Sequence, residues 1–505
     1  MQTQSVTFTR HKPVGVVGNT LPQNDPSEDL SPWNPTATDP WDKKKVRHLA
    51  RRAGFGLLPE EVETLERVGH RLSVDLYLLV PGQRMPERGS YLLKTGEIVN
   101  LQTYTHQVSA WLYLMANSPW QLQEKMALFW HDHFSTGTGA VPAIELISRS
   151  INLYRQKGMR SFRDLVVGVA SDPAMLYFLD NRLSTVTRPN ENFARELLEL
   201  HMMGVGNGYT ENDIKEAARC LTGWTCNLDY VNFNVGTHDF GVKNVLGRTI
   251  DNSALGRTTQ AVIKDGVDVV DAALAQPATA KYIAKKLWEY FVYEAPSDTL
   301  VDDLAARFRA AQYDIRTLME TMFRSKAFFS ARAMRANIKN PVEFVVWPMR
   351  TLDFASQIRF LRVTTRFAQM GLPLLNYAGP DGLPDGTAWI NSQNIINRSN
   401  FAKELIENRA RWQNSYLACG FDPEREIVRA RLDTSTPVAI VDHFLDILVD
   451  GDVPPAVRQN LITYMTATNT GTRTWNYAGN KTRELNEKVA GLVHLILALP
   501  EAHIN

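Results

Sequence analysis

The sequence predicts a mainly α-helical fold: a single large multi-helical domain with a small irregular or β insertion near residues 224–257. Apolar residues recur at three- and four-residue spacing along most of the chain, the pattern of helices with one buried face. Capping signals mark where several of these segments begin, and strict alternation of apolar and polar residues is confined to one stretch. With 505 residues, 44% hydrophobic and 22% charged, the chain can bury an extensive core and is too apolar for wholesale disorder.

Residues 1–40 are polar and punctuated by Pro13, Pro22, Pro26, Pro32, Pro35 and Pro40, which predicts an extended arm without regular structure. A helical core domain is expected over 41–412, with C-terminal helices over 413–505 packed on it. Helical periodicity runs through 44–55, 104–134, 142–158, 161–171, 190–203, 210–222, 259–295, 298–324, 341–370 and 389–412. Ser118-Pro119 ahead of Gln121, Ser161 with Asp164, Thr210 with Asp213, and Asn340-Pro341 with Glu343 supply the start signals. Val231, Phe233 and Val235 alternate with Asn232 and Asn234, and Gly236, Gly241 and Gly247 provide turns, so short strands are expected there. Residues 371–388 are rich in Gly, Pro and Asp and read as a loop on a rigid scaffold. The tail returns to helical spacing over 435–448, 454–468 and 480–499.

Charge and cysteine usage exclude several classes. Lys and Arg number 55 against 54 Asp and Glu, so nothing global argues for nucleic acid. The apolar runs are too short for a membrane span. Three cysteines without CxxC or CxxCH spacing remove thiolate zinc ribbons, thioredoxin-like chemistry and c-type haem. No signal peptide is recognisable, which makes a cytoplasmic location the default. The basic run Lys43-Lys44-Lys45, Arg47, Arg51 and Arg52 resembles an RNA- or lipid-binding patch, but it lies on an amphipathic segment of a neutral chain and reads as a solvated helix face.

Ionisable residues concentrate in three places. The first is Phe129-Trp130-His131-Asp132-His133-Phe134. At ~100° per residue a continuous helix puts His133 on one arc with Leu122, Met126, Phe129 and Trp130, and His131 almost opposite. If the helix stops near Trp130 and the chain extends, both imidazoles return to one face. The second is Asn190 to His201, where the same rotation groups Glu191, Arg195, Glu196 and Glu199 and leaves His201 on the apolar side. Such a cluster is either a wet ladder of i, i+4 pairs or a buried acidic wall held by Arg195. The third is the His238-Asp239 pair in the irregular segment, either a solvated turn or a metal or acid–base element. The Gly-rich turn Gly204 to Gly208, leading into a capped helix, is either an anion site at that helix N-terminus or, more commonly, a tight connection between helices.

Together these stretches resemble a bacterial family known as domain of unknown function number 1800. The resemblance rests on His48 to Gly56, Phe129 to Phe134, Phe162 to Leu165, Asp172 to Leu176, Leu179 to Asn181 and, most densely, Pro189 to Trp224. It continues through His238-Asp239, Lys286-Leu287-Trp288, Pro341-Val342-Glu343, and Asp385-Gly386 before Trp389-Ile390-Asn391, covering about residues 45–410. The resemblance implies a predominantly helical domain and supplies no activity. It also implies frequent export and a gene neighbourhood shared with a sulfatase-like family; the chain departs in lacking a recognisable export signal. It departs again at Gly379 to Pro384, where the family usually shows a Gly-Trp-Pro run.

Two functional readings stand side by side. In the first, His131, His133, Glu191 and His238 bind a divalent metal, with imidazoles and carboxylates suiting zinc, manganese or iron. Glu196 or Glu199 then serves as general base, Asp239 as a further acid or base, and Arg195 as the partner of an anionic group, making a hydrolase-type enzyme. A metal-free version uses two carboxylates on a glycosidic bond. In the second reading the chain is a non-catalytic scaffold or assembly subunit, whose arm over 1–40 binds a second copy or another protein.

Overall fold

The computed structural model describes residues 26–228, 230–384, 386–407, 421–468 and 471–505. Residues 1–25 of the arm, the end of the 389–412 segment and Asp385 therefore lie outside the described residues. Among the described residues helices dominate, and the strands form only two-stranded antiparallel hairpins. Two hairpins fall in the expected insertion, Trp224–Cys226 with Val231–Phe233 and Lys243–Val245 with Arg248–Ile250. Two more, Ser90–Leu92 with Ile98–Asn100 and Ala467–Thr468 with Gly471–Thr472, lie outside it. Among the described residues no helix is long and apolar enough to cross a membrane.

Local chemistry starts the helices. Ser161 caps Phe162–Ala170 by accepting from the Asp164 N–H, while Thr210 with Asp213 and Asn340 with Glu343 form reciprocal capping boxes. Proline at a first helical position ends one periodic run and starts the next. Pro277 separates Thr259–Ala275 from Pro277–Phe291, since its missing N–H costs nothing there. The run over 104–134 likewise splits into Tyr104–Asn117 and Gln121–His133. Its start signal acts two residues later than expected: Ser118 accepts from the Trp120 N–H at 3.0 Å, and the helix opens at Gln121. Four helices, Pro59–Val68, His70–Leu78, Pro173–Phe178 and Pro423–Arg429, were not expected from apolar spacing.

The basic helix Lys43–Arg52 overturns the expectation of a solvated face. Arg47, His48, Arg51 and Arg52 are all buried. Arg47 forms a two-pronged pair with Asp446 at 2.9 and 2.7 Å, and Arg51 does the same with Asp450 at 3.2 and 2.6 Å. Arg52 donates to the Val292 and Ala333 carbonyls at 2.7 and 3.0 Å. The guanidinium fork explains the choice of arginine, because it satisfies several acceptors from one buried position. These bonds tie the helix to Val438–Val449 near the C-terminal end. Residues 26–40 also lie on the core, with Leu30 and Trp33 buried and the Trp33 N–H donating to the Arg324 carbonyl at 2.7 Å.

Other buried charges are paired in the same way. Arg155 meets Glu124 at 2.7 Å, and the Trp111 indole N–H donates to the same carboxylate at 2.9 Å. Lys125 contacts Glu343 and donates to the Gly54 carbonyl at 3.1 Å. An unpaired ion at such depth would cost several kcal/mol, so each pair depends on both members.

Candidate functional site

The helix Gln121–His133 runs without a break through both histidines, and the Phe134 N–H closes on the Trp130 carbonyl at 2.8 Å. The extended ending that would have aimed both imidazoles at one ion does not form. His131 Nε2 accepts from the Leu375 N–H at 3.2 Å, and its ring stacks on Tyr377 at 4.5 Å. His133 Nε2 donates to the His201 carbonyl at 3.0 Å on a different element. Burial lowers the His131 pKa to about 3. Burial, with Lys286 and His201 nearby, holds His133 well below its usual value, and His201 itself falls to about 3. All three rings are neutral core histidines at ordinary pH, as the apolar position of His201 suggested.

Asn190 caps the short helix Glu191–Glu196 through the Phe193 N–H, and the chain then widens into a π-helix over Leu197–Met203. The Gly204 N–H reaches back five residues to the Glu199 carbonyl at 2.8 Å, and Gly204 has φ of 80°, which suits glycine. Glu191 is exposed in the first turn. Arg195 lies 3.4 Å from Glu199 as the i, i+4 pattern suggested, but its stronger pair is Glu211 at 2.9 and 2.5 Å. Glu196 is half-buried and has no hydrogen bond or ion pair among the described residues. Burial raises its pKa, and Glu199 and Asp381 push it further against the pull of Arg195.

The His238-Asp239 pair belongs to a separate network. His238 Nδ1 meets the Thr222 carbonyl at 2.7 Å and Nε2 meets Asp265 at 3.1 Å, so both ring nitrogens are taken up. Lys243 and Asn252 also contact Asp265. Burial alone would raise the Asp265 pKa, yet the bonds from His238, Lys243 and Asn252 bring it below its ordinary value. Asp239 accepts from Arg219 Nε at 2.7 Å and from the Gly241 N–H at 2.8 Å, and these bonds outweigh burial to lower its pKa as well. The structure thus joins the His133 and His201 segments directly, while His238 and Asp239 are held by Asp265 and Arg219. Among the described residues no three His, Cys, Asp or Glu side chains stand close enough together to hold a metal ion.

A cleft of about 470 Å³ opens beside His133. Asp132 and Phe129 line it from the Gln121–His133 helix, Lys286 and Glu289 from Pro277–Phe291, and Asn340 and Glu343 from the head of Pro341–Thr351. Gly386 to Trp389 and Glu294 close another side. The loop over 371–388 builds this edge. Ser135 donates to the Gly379 carbonyl at 2.8 Å, and the Leu383 N–H donates to Asp132 at 2.9 Å. Gly382, at φ of 76°, packs so tightly that an added Cβ would stand 2.7 Å from the Asp132 carbonyl oxygen. Asp381, one residue earlier, is a carboxylate felt by Glu196 together with Glu199. Asp132, Asp381, Lys286 and Glu343 were not among the expected site residues.

Residues 48–504 match the family described as protein of unknown function (DUF1800). The chain belongs to that family. No curated protein and no solved structure matches it. For this DUF1800 member, the motifs that carried the resemblance acquire a shared place: Phe129-Asp132-His133, Lys286, Glu343 and Gly386 to Trp389 all border one cleft. That convergence was the available signal for Lys286 and Glu343, because each lies in a motif far along the chain from His133.

Proposed function

We propose that this cleft is the substrate site of a hydrolase-type enzyme that works through paired carboxylates. Glu196 is the proton-bearing acid and Glu199, beside Arg195, is the base. The observation that carries the reading is Glu196 itself: a carboxyl without a hydrogen bond among the described residues, whose pKa is raised by burial first and then by Glu199 and Asp381, against the pull of Arg195. Carboxylates whose surroundings separate their proton affinities are the common arrangement for acid–base chemistry near neutral pH. The pair is coupled electrostatically to Asp381, in the loop whose later residues Gly386 to Trp389 line the cleft, and the lining aromatics Phe129, Tyr290 and Trp389 suit a ring-shaped substrate such as a glycoside. His238 and Asp239 take a structural part in this reading, and Arg195 orients Glu199.

A divalent ion, zinc, manganese or iron, is the second form of the same reading. It needs three donors within bonding distance, and among the described residues His131, His133, Glu191 and His238 are directed to separate partners or to solvent. The carboxylate form is therefore preferred. The test is a panel of chromogenic glycosides, esters and amides assayed with wild type and Glu196→Gln, with and without a chelator. Turnover of one class, insensitive to the chelator and reduced by about a hundredfold or more in the variant, is expected. Turnover abolished by the chelator transfers the role to a metal. No turnover at all removes the enzyme and leaves the scaffold, and a variant as active as wild type removes Glu196 from the chemistry.

A further inference from the structure

A second cavity, about 530 Å³, has the opposite charge to the acidic cleft. It is framed by the basic helix Lys43–Arg52, the C-terminal helices Pro423–Arg429 and Val438–Val449, and the helix Pro341–Thr351. Lys43, Arg47, Arg51, Arg429 and Arg431 line it, with His443, against only Glu63 and Asp446. Arg47 and Arg51 are fixed in place by Asp446 and Asp450, and Arg429 leans on Glu426 at 3.1 Å. Lys43 and the Arg431 side chain have no hydrogen bond or ion pair among the described residues, and both are exposed. Trp347, Leu57, Val62 and Ile447 supply an apolar wall.

We propose that this cavity binds a phosphorylated small molecule carrying a compact ring. Asp446, Asp450 and Glu426 pair Arg47, Arg51 and Arg429, so among the described residues Lys43 and Arg431 are the cations left without an anion, and a doubly charged anion in this low-dielectric concavity pairs them. Phosphate suits the donors better than carboxylate does. Its three oxygens can reach the ammonium of Lys43 and the forked guanidinium of Arg431 together, while the paired Arg47 and Arg51 stay pre-positioned behind them. The Trp347 wall then receives the ring, the usual division between polar anchors and apolar lining in small-molecule sites. The helix Pro341–Thr351 separates the two cavities, with Glu343 facing the acidic cleft and Trp347, one turn later, facing this one.

The experiment is isothermal titration of the full chain with phenyl phosphate, inorganic phosphate and benzoate at low ionic strength, repeated on the double variant Lys43→Ala, Arg431→Ala. Both side chains are exposed, so the unliganded melting temperature of the variant is expected to match wild type and reports any loss of fold. Phenyl phosphate should bind saturably at one site with a Kd below about 1 mM, at least fivefold tighter than inorganic phosphate, and lose at least tenfold in the variant. Three results would overturn the proposal: no saturable binding of phenyl phosphate, equal affinity in the folded variant, or benzoate binding as tightly as phenyl phosphate.

Discussion

Asp172 offers a stability test whose sign is unusual for a carboxylate. It caps the helix Pro173–Phe178 through the Ala174 N–H at 3.2 Å and also accepts from Ser150, yet burial outweighs these bonds and raises its pKa from 3.8 to about 6. Between those two values the folded chain holds a proton that the unfolded chain has released. Stability from this group is therefore complete below about pH 4 and is lost as pH rises through 6. About two pH units at roughly 1.4 kcal/mol each gives a destabilisation of about 3 kcal/mol at neutral pH. Asp172→Asn keeps an oxygen for the cap and for Ser150 while removing the charge, at the cost of about 1 kcal/mol for burying an amide N–H₂. The net expectation is a gain of about 2 kcal/mol at pH 7.5 and a loss of about 1 kcal/mol at pH 4. For a chain of this length the unfolding entropy is roughly 1 kcal/mol/K, so the gain appears as a rise of about 2 °C in melting temperature. Calorimetry of both proteins at pH 4, 6 and 7.5 measures it. An offset between variant and wild type that does not change with pH would refute the reasoning.

Two further perturbations follow from the same structure. His131 carries the opposite sign: its pKa falls from 6.5 to about 3, so its stability is present above pH 6.5 and is lost as pH drops toward 3, about 2 kcal/mol by pH 5. His131→Gln can still accept from the Leu375 N–H, so between pH 7.5 and 5 its melting temperature should fall less than that of wild type; parallel curves would contradict this. Asp450→Asn leaves Arg51, at 4% exposure, without its anion and should cost about 3 kcal/mol or more in urea unfolding. A loss under about 1 kcal/mol would mean the buried pair contributes no more than a surface one.

What could be read from sequence was what is local. Thr210 with Asp213 and Asn340 with Glu343 announce their helices because cap and partner stand three residues apart, and the hairpins of 224–257 follow from alternation over a few positions. Pro59 at a first helical position, followed by Glu60 and Glu61, was an equally local signal for the helix that apolar spacing missed. The face of the Lys43–Arg52 helix was misread for the complementary reason. Its arginines have the spacing of a wet surface, and only Asp446 and Asp450, about 400 positions away in sequence, make that surface an interior.

The candidate site shows both limits at once. A uniform rotation grouped Glu196, Glu199 and Arg195 correctly, but the π-helix from Leu197 onward changes the turn, and Arg195 finds its closest partner in Glu211 on the next helix. Glu196 is then left to Asp381, which a glycine turn presents from a loop nearly two hundred residues later. A carboxylate's partners decide whether it is a solvated ladder rung or a proton-holding acid. For Glu196 those partners are two like charges and partial burial, a combination that stabilises nothing in the fold. A fold under no other demand would pair such a group or move it into water, so Glu196, with Glu199 and Asp381 acting on it, is where a cost in stability points most directly to the proposed chemistry.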